Sequence, residues 1–261
     1  MRLDLFLVKN QYCESRNKAS ALISDGNVIV NGNRVVKASY QVDDIDVVEL
    51  INDQKQYVAR SAAKLLTAKQ KFDLDFTDKI AVDLGASTGG FCEVMLENGI
   101  SRIYAVDIGT NQLHPKIKSD KRVINKEHTN ARFITSADFD DQIDIITCDL
   151  SFISLKLIIN AAFCSLKQGG EFICLVKPQF EVGNANVGKN GVVKDLKLHI
   201  KVVKEIVEYA TTVGFSVCDV SFSGLEGESG NREYLLYMKK TDNGTKLDID
   251  KISRIVLGDV K

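Results

Sequence analysis

The chain has 261 residues, of which 44% are hydrophobic, so it can bury the core of one large domain or of two smaller ones. Its formal net charge of −1 predicts no overall attraction to nucleic acid or to a membrane surface, although the first quarter of the chain is locally basic apart from an acidic patch at Asp43–Glu49. No apolar run reaches the roughly 20 residues that a membrane span requires, no signal peptide precedes the first helix, and the six cysteines form no C-x-x-C pair. These features exclude a helical membrane protein and argue against a zinc site, and we expect a cytoplasmic protein.

The first 50 residues predict a separate small α+β domain. A helical pattern begins within Asp4–Val8, and Ser15 is a favourable N-cap for a second helix. Val28–Val30, the turn Asn31-Gly32 and Arg34–Val36 predict a β-hairpin. Over residues 1–37 six basic side chains outnumber three acidic ones and could lie along a phosphate backbone or simply form a solvated face; the basic residues are Arg2, Lys9, Arg16, Lys18, Arg34 and Lys37.

Two patterns in this region resemble the RNA-binding module named for ribosomal protein S-four. They are R-L-D-x-F-L-V, beginning at Arg2, and S-R-N-K-A-x-x-L-I-x-x-G-x-V-x-V-N-G, beginning at Ser15, and the resemblance spans residues 1–48. It implies docking on structured RNA, where shape and phosphate contacts dominate. The candidate RNA-binding residues are Arg2, Arg16, Lys18 and Arg34, together with Arg60 in the second domain.

Residues 51–59 predict a polar linker, and we expect the second domain to span residues 60–261. This domain opens with an amphipathic helix over Arg60–Lys71, in which Lys64 lies among apolar neighbours. A lysine at such a position usually extends its amine to solvent, so Lys64 indicates no site by itself.

Ile80–Phe91 reads I-A-V-D-L-G-A-S-T-G-G-F and predicts a strand, a glycine-rich turn and the start of a helix, which together open a βαβ unit. The spacing is not G-x-G-x-x-G, and no Lys-Ser or Lys-Thr pair closes the loop as in a phosphate loop. Such a loop suits a nucleoside that lies against the backbone. The next strand, Arg102–Val106, ends at Asp107, which is placed to bind ribose hydroxyls, although an ordinary turn and a chance acid give the same pattern. The candidate cofactor-binding residues are Asp83, Gly85, Ser87, Thr88, Gly89, Gly90, Phe91 and Asp107.

Strands and helices alternate from Ile80 onward, which predicts an α/β fold with a doubly wound, mainly parallel sheet. Strands at 215–222 and 233–239 have no helix between them, so we expect an antiparallel pair, and with it an antiparallel edge strand, at one side of the sheet. This ending resembles the Rossmann-like class I methyltransferases. The other predicted strands are 80–84, 102–106, 122–125, 143–149 and 171–176, and the predicted helices are 90–98, 110–118, 154–167 and 196–213.

Charged residues stand at the strand ends, where ligands of such sheets bind. Asp149 and Lys177 each follow a buried strand, and Glu233 opens the last one. Together with Lys64 they suit methyl transfer to a ribose hydroxyl, because a lysine whose ammonium form is destabilised by burial and by a second cation can accept the hydroxyl proton. We expect Lys177 to be this base and Lys64 to add positive charge, with the two carboxylates orienting the lysines. Geometry should limit the contact between Asp149 and Lys177, since a close pair would stabilise the ammonium form; a purely structural ion-pair network is the alternative.

Five motifs, taken in order, resemble the TlyA (hemolysin A) family of ribosomal RNA 2′-O-methyltransferases, within the wider FtsJ-like group. They are V-A-R-S-A-A-K-L, V-D-L-G-A-S-T-G-G-F, D-L-S-F-I-S-L, V-K-P-Q-F-E-V-G and G-N-R-E-Y. The resemblance implies S-adenosylmethionine as cofactor, no metal, and cytidines in large-subunit and, for some members, small-subunit ribosomal RNA as targets. It places the family's catalytic tetrad on Lys64, Asp149, Lys177 and Glu233. The family linker motif, aromatic-Val-Ser-Arg, is Tyr57-Val58-Ala59-Arg60 here, so the tyrosine and the alanine are departures.

Three other functions compete with methyl transfer. A membrane-active hemolysin lacks a spanning segment in this sequence, and an RNA-binding protein with an inactive methyltransferase domain is disfavoured by the intact tetrad. An NAD-dependent dehydrogenase is disfavoured because the glycine spacing is wrong and no His or Tyr for hydride transfer stands at a strand end.

Overall fold

The structure, a computed structural model, describes residues 1–13, 15–43, 45–50, 57–183, 186–188, 190–227, 230–242 and 247–258. The chain divides into two units, Met1–Gln56 and Tyr57–Lys261. Residues 51–56 of the predicted linker lie outside the described residues.

The first unit packs two helices on a small antiparallel sheet. Helices α1 (Leu3–Lys9) and α2 (Arg16–Ser24) precede strands β1 (Val28–Val30), β2 (Asn33–Arg34) and β3 (Val48–Leu50), which lie in the order β2-β1-β3. The predicted cap is present, because the Ser15 side chain accepts a hydrogen bond from the Lys18 backbone. The return strand is shorter than predicted, and β3 was not predicted. The apolar core consists mainly of Leu3, Leu7, Ala19, Ile23, Val28 and Val30.

The second unit is built on a seven-stranded sheet with helices on both faces. The strands are β4 (Ile80–Leu84), β5 (Arg102–Val106), β6 (Val123–Lys126), β7 (Ile143–Cys148), β8 (Leu166–Val176), β9 (Ser216–Glu226) and β10 (Arg232–Lys239). The helices are α3 (Ala62–Phe72), α4 (Gly90–Glu97), α5 (Pro115–Lys118), α6 (Lys156–Ser165), α7 (Leu196–Val213) and α8 (Ile249–Leu257). One apolar cluster lies beneath α6, α7 and α8 and the other beneath α3, α4 and α5. This α/β architecture confirms the predicted fold class; α5 is shorter than predicted and α8 was not predicted.

The strand order is β6-β5-β4-β7-β8-β10-β9, with the first five strands parallel. The predicted antiparallel pair is present at one edge, but the antiparallel strand itself lies one position inside that edge. Strand β10 pairs antiparallel with both β8 and β9, so the outermost strand β9 runs in the same direction as β8. Helix α7 carries the chain across to β9, and the return strand β10 fills the gap between β9 and β8.

This topology brings the polar strand ends together. The parallel strands β4, β7 and β8 all finish along one margin of the sheet, the row of their carboxyl ends. Because β10 runs in the opposite direction, it begins at this same margin, where Tyr234 is opposite Val176. Glu233 therefore lies beside the end of β8 and Lys177.

Candidate active site

Four charged side chains are linked by ion pairs at the carboxyl ends of the parallel strands. Lys64, from α3, places Nζ 2.7 Å from Glu233 Oε2 and 3.2 Å from Asp149 Oδ2. The other carboxylate oxygen of Asp149, Oδ1, lies 2.6 Å from Lys177 Nζ. Each of the four side chains is at most 12% exposed. Residues from four separate elements therefore meet in one buried cluster, and its lysines and carboxylates balance in number.

The two lysines have different surroundings. Burial favours the neutral amine of Lys64, but the carboxylates of Asp149 and Glu233 outweigh burial and raise the pKa of Lys64. Lys177 Nζ also donates a hydrogen bond to Ser151 Oγ at 3.1 Å. Lys64 is thus held as a cation between two carboxylates, whereas Lys177 shares one carboxylate and contacts a neutral hydroxyl.

We expected geometry to keep the Asp149 carboxylate and the Lys177 amine from a close contact. This expectation is wrong, because Lys177 Nζ lies 2.6 Å from Asp149 Oδ1. Both follow neighbouring parallel strands, so their backbones are already close. Asp149 Oδ1 nevertheless accepts no hydrogen bond of normal geometry from the described residues. The contact is therefore an ion pair that lacks the geometry of a hydrogen bond.

A cleft of about 480 Å³ opens beside this cluster. Its walls include all four charged residues and, from the predicted cofactor set, Asp83, Gly85, Ser87, Thr88 and Phe91. Arg60 also lines the cleft, whereas Gly89, Gly90 and Asp107 are not among its lining residues.

Asp83 lies beneath the glycine-rich loop and is 1% exposed. Its carboxyl group accepts hydrogen bonds from Thr147 Oγ1 at 2.7 Å and from Cys92 Sγ at 3.3 Å. Burial raises the pKa of Asp83 to about 7, and the hydrogen bonds offset only part of this effect. Asp83 thus ties β4 to β7 and α4 at the base of the loop.

Asp107 fixes the loop from the other side. Its Oδ2 accepts from Ser87 N at 2.9 Å and its Oδ1 accepts from Gly109 N at 2.8 Å. Ser87 has a left-handed backbone, with φ of 47°, which such a hydrogen bond helps to hold. In this structure the carboxylate therefore shapes the loop after β4 as well as the loop after β5.

The segment with the altered linker motif packs against the start of α4. Val58 N donates to Glu93 Oε2 at 2.6 Å, and Glu93 also pairs with Lys116. A β-carbon on Gly90 would lie 2.9 Å from Ala59 Cβ, so glycine is needed for this close approach. Residues 58–59 are thus in direct contact with the helix that follows the glycine-rich loop.

Several residues of the cleft were not predicted. Ser151 and Phe152 follow β7, Gln179 and Phe180 follow β8, and residues 225–227 lie at the end of β9. Ser151 and Phe152 belong to the D-L-S-F motif, and Gln179 and Phe180 belong to the K-P-Q-F motif. Both motifs follow directly after the strands whose ends indicated Asp149 and Lys177. Position after those strands was the signal that could have found them.

In the first unit, two of the candidate RNA-binding residues also support the fold. Arg2 Nε lies 3.0 Å from Asp4 Oδ1, and Arg16 Nε lies 2.8 Å from Asp4 Oδ2. Asp4 is 2% exposed, and the hydrogen bonds and charges of both arginines hold the pKa of its carboxyl well below the usual range. Lys18 and Arg34 are exposed.

Two features of the described residues bear on other functions. None of their helices is both long enough and apolar enough to cross a bilayer. They also hold no cluster of three or more His, Cys, Asp or Glu side chains arranged to bind a metal ion.

Comparison with known proteins identifies similarities over both units. A family model described as FtsJ-like methyltransferase matches residues 57–240, and one described as S4 domain matches residues 1–48. YqxC of Bacillus subtilis, named as a candidate rRNA methyltransferase, is 39% identical over 98% of this chain and 92% of its own length. The 16S/23S rRNA (cytidine-2′-O)-methyltransferase TlyA of Mycobacterium tuberculosis is 37% identical over 91% of this chain and 89% of its own length. A solved structure from Streptococcus thermophilus, described as a candidate hemolysin, is 38% identical with a TM-score of 0.76, over 99% of this chain and 94% of that one.

Proposed function

Because the chain belongs to the FtsJ-like methyltransferase family, we propose that it methylates the ribose 2′-hydroxyl of a cytidine in ribosomal RNA, with S-adenosylmethionine as methyl donor. Its substrate is then ribosomal RNA or a ribosomal subunit, and it acts in the cytoplasm. The observation that carries the proposal is the buried cluster of two lysines and two carboxylates in the wall of a cleft that also includes the glycine-rich loop.

The cleft fits the cofactor in both shape and chemistry. Its wall over residues 85–88 carries only small side chains, at the carboxyl end of a parallel strand where nucleosides bind in such folds. We assign cofactor binding to Asp83, Gly85, Ser87, Thr88, Gly89, Gly90, Phe91 and Asp107. Gly89, Gly90 and Asp107 do not line the cleft and act through the shape of the loop. When bound, S-adenosylmethionine supplies an activated methyl group and an additional positive charge beside the cluster.

Within the cluster, Lys177 accepts the proton of the 2′-hydroxyl at Nζ as the ribose oxygen becomes a nucleophile. The neutral amine is the form of Lys177 that can accept this proton, and the two carboxylates of the cluster do not outnumber its two lysines. Lys64 stays protonated between its two carboxylates and stabilises negative charge on the ribose oxygen. Asp149 orients both lysines, and Glu233 anchors Lys64.

The division of labour follows the two units. We assign RNA binding to residues 1–50, a linker to residues 51–59 and catalysis to residues 60–261. Lys18 and Arg34 are exposed cations that can contact phosphate groups, and Arg2 and Arg16 present guanidinium groups that also hold Asp4. Arg60 lines the cleft, and we assign it a contact with the RNA strand near the target ribose.

The proposal is tested with ribosomal RNA and isolated ribosomal subunits from cells that lack this protein. Incubation with the purified protein and methyl-labelled S-adenosylmethionine should transfer label to RNA, and reverse transcription at low nucleotide concentration should then stop next to a cytidine. Lys177→Ala is the matched control and should transfer no label in the same time. Absence of transfer to both free RNA and subunits by the wild-type protein would contradict the proposed function.

A further inference from the structure

Two loops meet at the mouth of the cleft: the β7–α6 loop, residues 149–155, and the β8 turn, residues 177–181. Hydrogen bonds join them at both ends. At one end Lys177 Nζ donates to Ser151 Oγ at 3.1 Å. At the other end Ser154 Oγ and Leu155 N each donate to the Glu181 carboxylate at 2.7 Å. The two loops are therefore fixed against each other at two separate points.

The β8 turn itself is stiff, so its two contacts act together. Pro178 restricts the backbone at its start. Phe180 N donates to Lys177 O and Glu181 N donates to Pro178 O, both at 3.0 Å. This hydrogen-bonded turn sets the spacing between Lys177 and Glu181. Because each of these two residues is bonded to one end of the β7–α6 loop, a displacement at one end of that loop is transmitted to the other.

The β7–α6 loop is strained between these points. Phe152 has φ of 62°, a conformation that is unusual for a bulky residue, and it is 88% exposed. Its ring packs on Phe180, with centroids 5.1 Å apart. Strained backbone persists where the surroundings hold it, and the hydrogen bonds at Ser151 and Glu181 lie on either side of Phe152.

We propose that Ser151 and Glu181 are positioning residues that fix the direction of the Lys177 amine. An ammonium group has three N–H bonds. One of them is directed at Ser151 Oγ, the Asp149 carboxylate lies 2.6 Å from Nζ, and Lys177 also lines the cleft. Because Ser151 holds one N–H bond, the lone pair that remains after proton loss is directed away from Ser151 and can face the cleft. Glu181 acts one step away, by holding the loop that carries Ser151. This inference rests on the proposed function only for its catalytic consequence.

The contact is tested first without methyl transfer, by acylation of the full-length protein with limiting acetic anhydride. Mass spectrometry gives the acylation rate of Lys177 relative to that of Lys64, which does not contact Ser151. Ser151→Ala should raise this ratio roughly 2- to 10-fold, the range of one neutral hydrogen bond. Ser151→Thr keeps the hydroxyl and should leave the ratio within about 2-fold of wild type by the same measure. An unchanged ratio in Ser151→Ala, or an equal rise in Ser151→Thr, would overturn the assignment.

Single-turnover methylation gives the second readout. Ser151→Ala and Glu181→Ala should each slow the step roughly 10-fold, with cofactor affinity and thermal stability unchanged. Ser151→Thr and Glu181→Gln, which retain an oxygen acceptor, should recover most of the rate. Wild-type rates in both alanine variants would overturn the inference. If the wild-type protein transfers no methyl group, the proposed function fails, and the acylation ratio alone decides whether Ser151 positions Lys177.

Discussion

Gly85 and Asp149 make a close backbone contact between the glycine-rich loop and the strand end that carries the cluster. A β-carbon at position 85 would lie 2.8 Å from the Asp149 carbonyl oxygen, and Gly85 has φ of 82°. Asp149 N also donates to Leu84 O at 3.1 Å. The loop of the proposed cofactor site and the proposed catalytic aspartate are thus set by the same contact.

This contact predicts that Gly85→Ala is more damaging than the same change at another left-handed glycine. The left-handed conformation alone should cost about 1–2 kcal/mol with a β-carbon, and the collision with Asp149 adds to it. Gly169→Ala is the matched control, because Gly169 has φ of 79° and open space around its Cα. Urea unfolding should show a larger loss for Gly85→Ala, and calorimetry should show weakened cofactor binding only there. Equal losses of stability would contradict the steric account.

Because the pKa of Asp83 is raised, we expect its ionisation to destabilise the fold as pH rises. Its folded pKa of about 7 is above the usual value of 3.8, so its favourable contribution is fully present below about pH 4 and is lost as pH rises through about 7. Asp83→Asn retains an oxygen that can accept from Thr147 and removes this titration. The free energy of unfolding of the variant, minus that of wild type, should increase between pH 4 and pH 8, with an upper limit of about 4 kcal/mol. Urea unfolding at several pH values checks this, and a constant difference would show that Asp83 is ionised throughout.

Loss of the Asp107 carboxylate should weaken cofactor binding, in part because the loop after β4 loses a hydrogen bond that holds its shape. Asp107→Ala removes the acceptor for Ser87 N and Gly109 N as well as any bond to a ribose. We expect a loss of roughly 1.5–3 kcal/mol in binding of S-adenosylmethionine, the scale of a hydrogen bond to a charged group. Calorimetry measures this loss, and Asp107→Asn, which keeps one oxygen acceptor, should lose less. Unchanged affinity in Asp107→Ala would remove Asp107 from the cofactor site.

The first unit allows RNA binding to be separated from folding. Lys18→Glu should weaken RNA binding and flatten its salt dependence, because fewer counterions are released. A glutamate three residues after the Ser15 cap completes a capping box, which should offset the loss of the contact that the Lys18 side chain makes. Arg16→Ala should instead lower the free energy of unfolding by about 1 kcal/mol, because Asp4 loses a partner. Filter binding at several salt concentrations and thermal unfolding distinguish the two, and unaltered RNA affinity in Lys18→Glu would argue against this surface.

Strand ends were the most predictable feature of the chain. Short apolar runs closed by polar residues located β4, β5 and β7 to within a residue, and the family resemblance drawn from the motifs is confirmed by the match over residues 57–240. Strand β3 was not predicted because it is short and depends on pairing with β1. Helix α8 was also missed, although Asp248 caps its start and Gly258 ends it, which are signals that the sequence contains. The position of β10 inside the edge was also beyond reach, because local sequence does not specify which strand a hairpin inserts beside.

The sequence predicted which side chains form the charged cluster, but not which of them contact one another. Strand topology brought Asp149, Lys177 and Glu233 together and the family resemblance added Lys64, yet only side-chain geometry shows that Asp149 pairs with both lysines. The double role of Asp107 likewise depends on backbone N–H groups whose directions no residue pattern records. Arg2 and Arg16 were predicted as RNA contacts, and their shared partner Asp4 is visible only once the two helices are packed.

The most direct test of the account is the single-turnover rate of RNA methylation by Lys177→Ala and Lys177→Arg, measured with cofactor bound to saturation. Lys177→Ala should be slower than wild type by roughly 100- to 10,000-fold, as expected for loss of a general base, with cofactor affinity and stability retained. Lys177→Arg should be equally slow, because a guanidinium group keeps its charge but does not release its proton at a workable pH. A Lys177→Arg variant that methylates RNA near the wild-type rate would contradict the assignment of Lys177 as the base and would leave it only an electrostatic role.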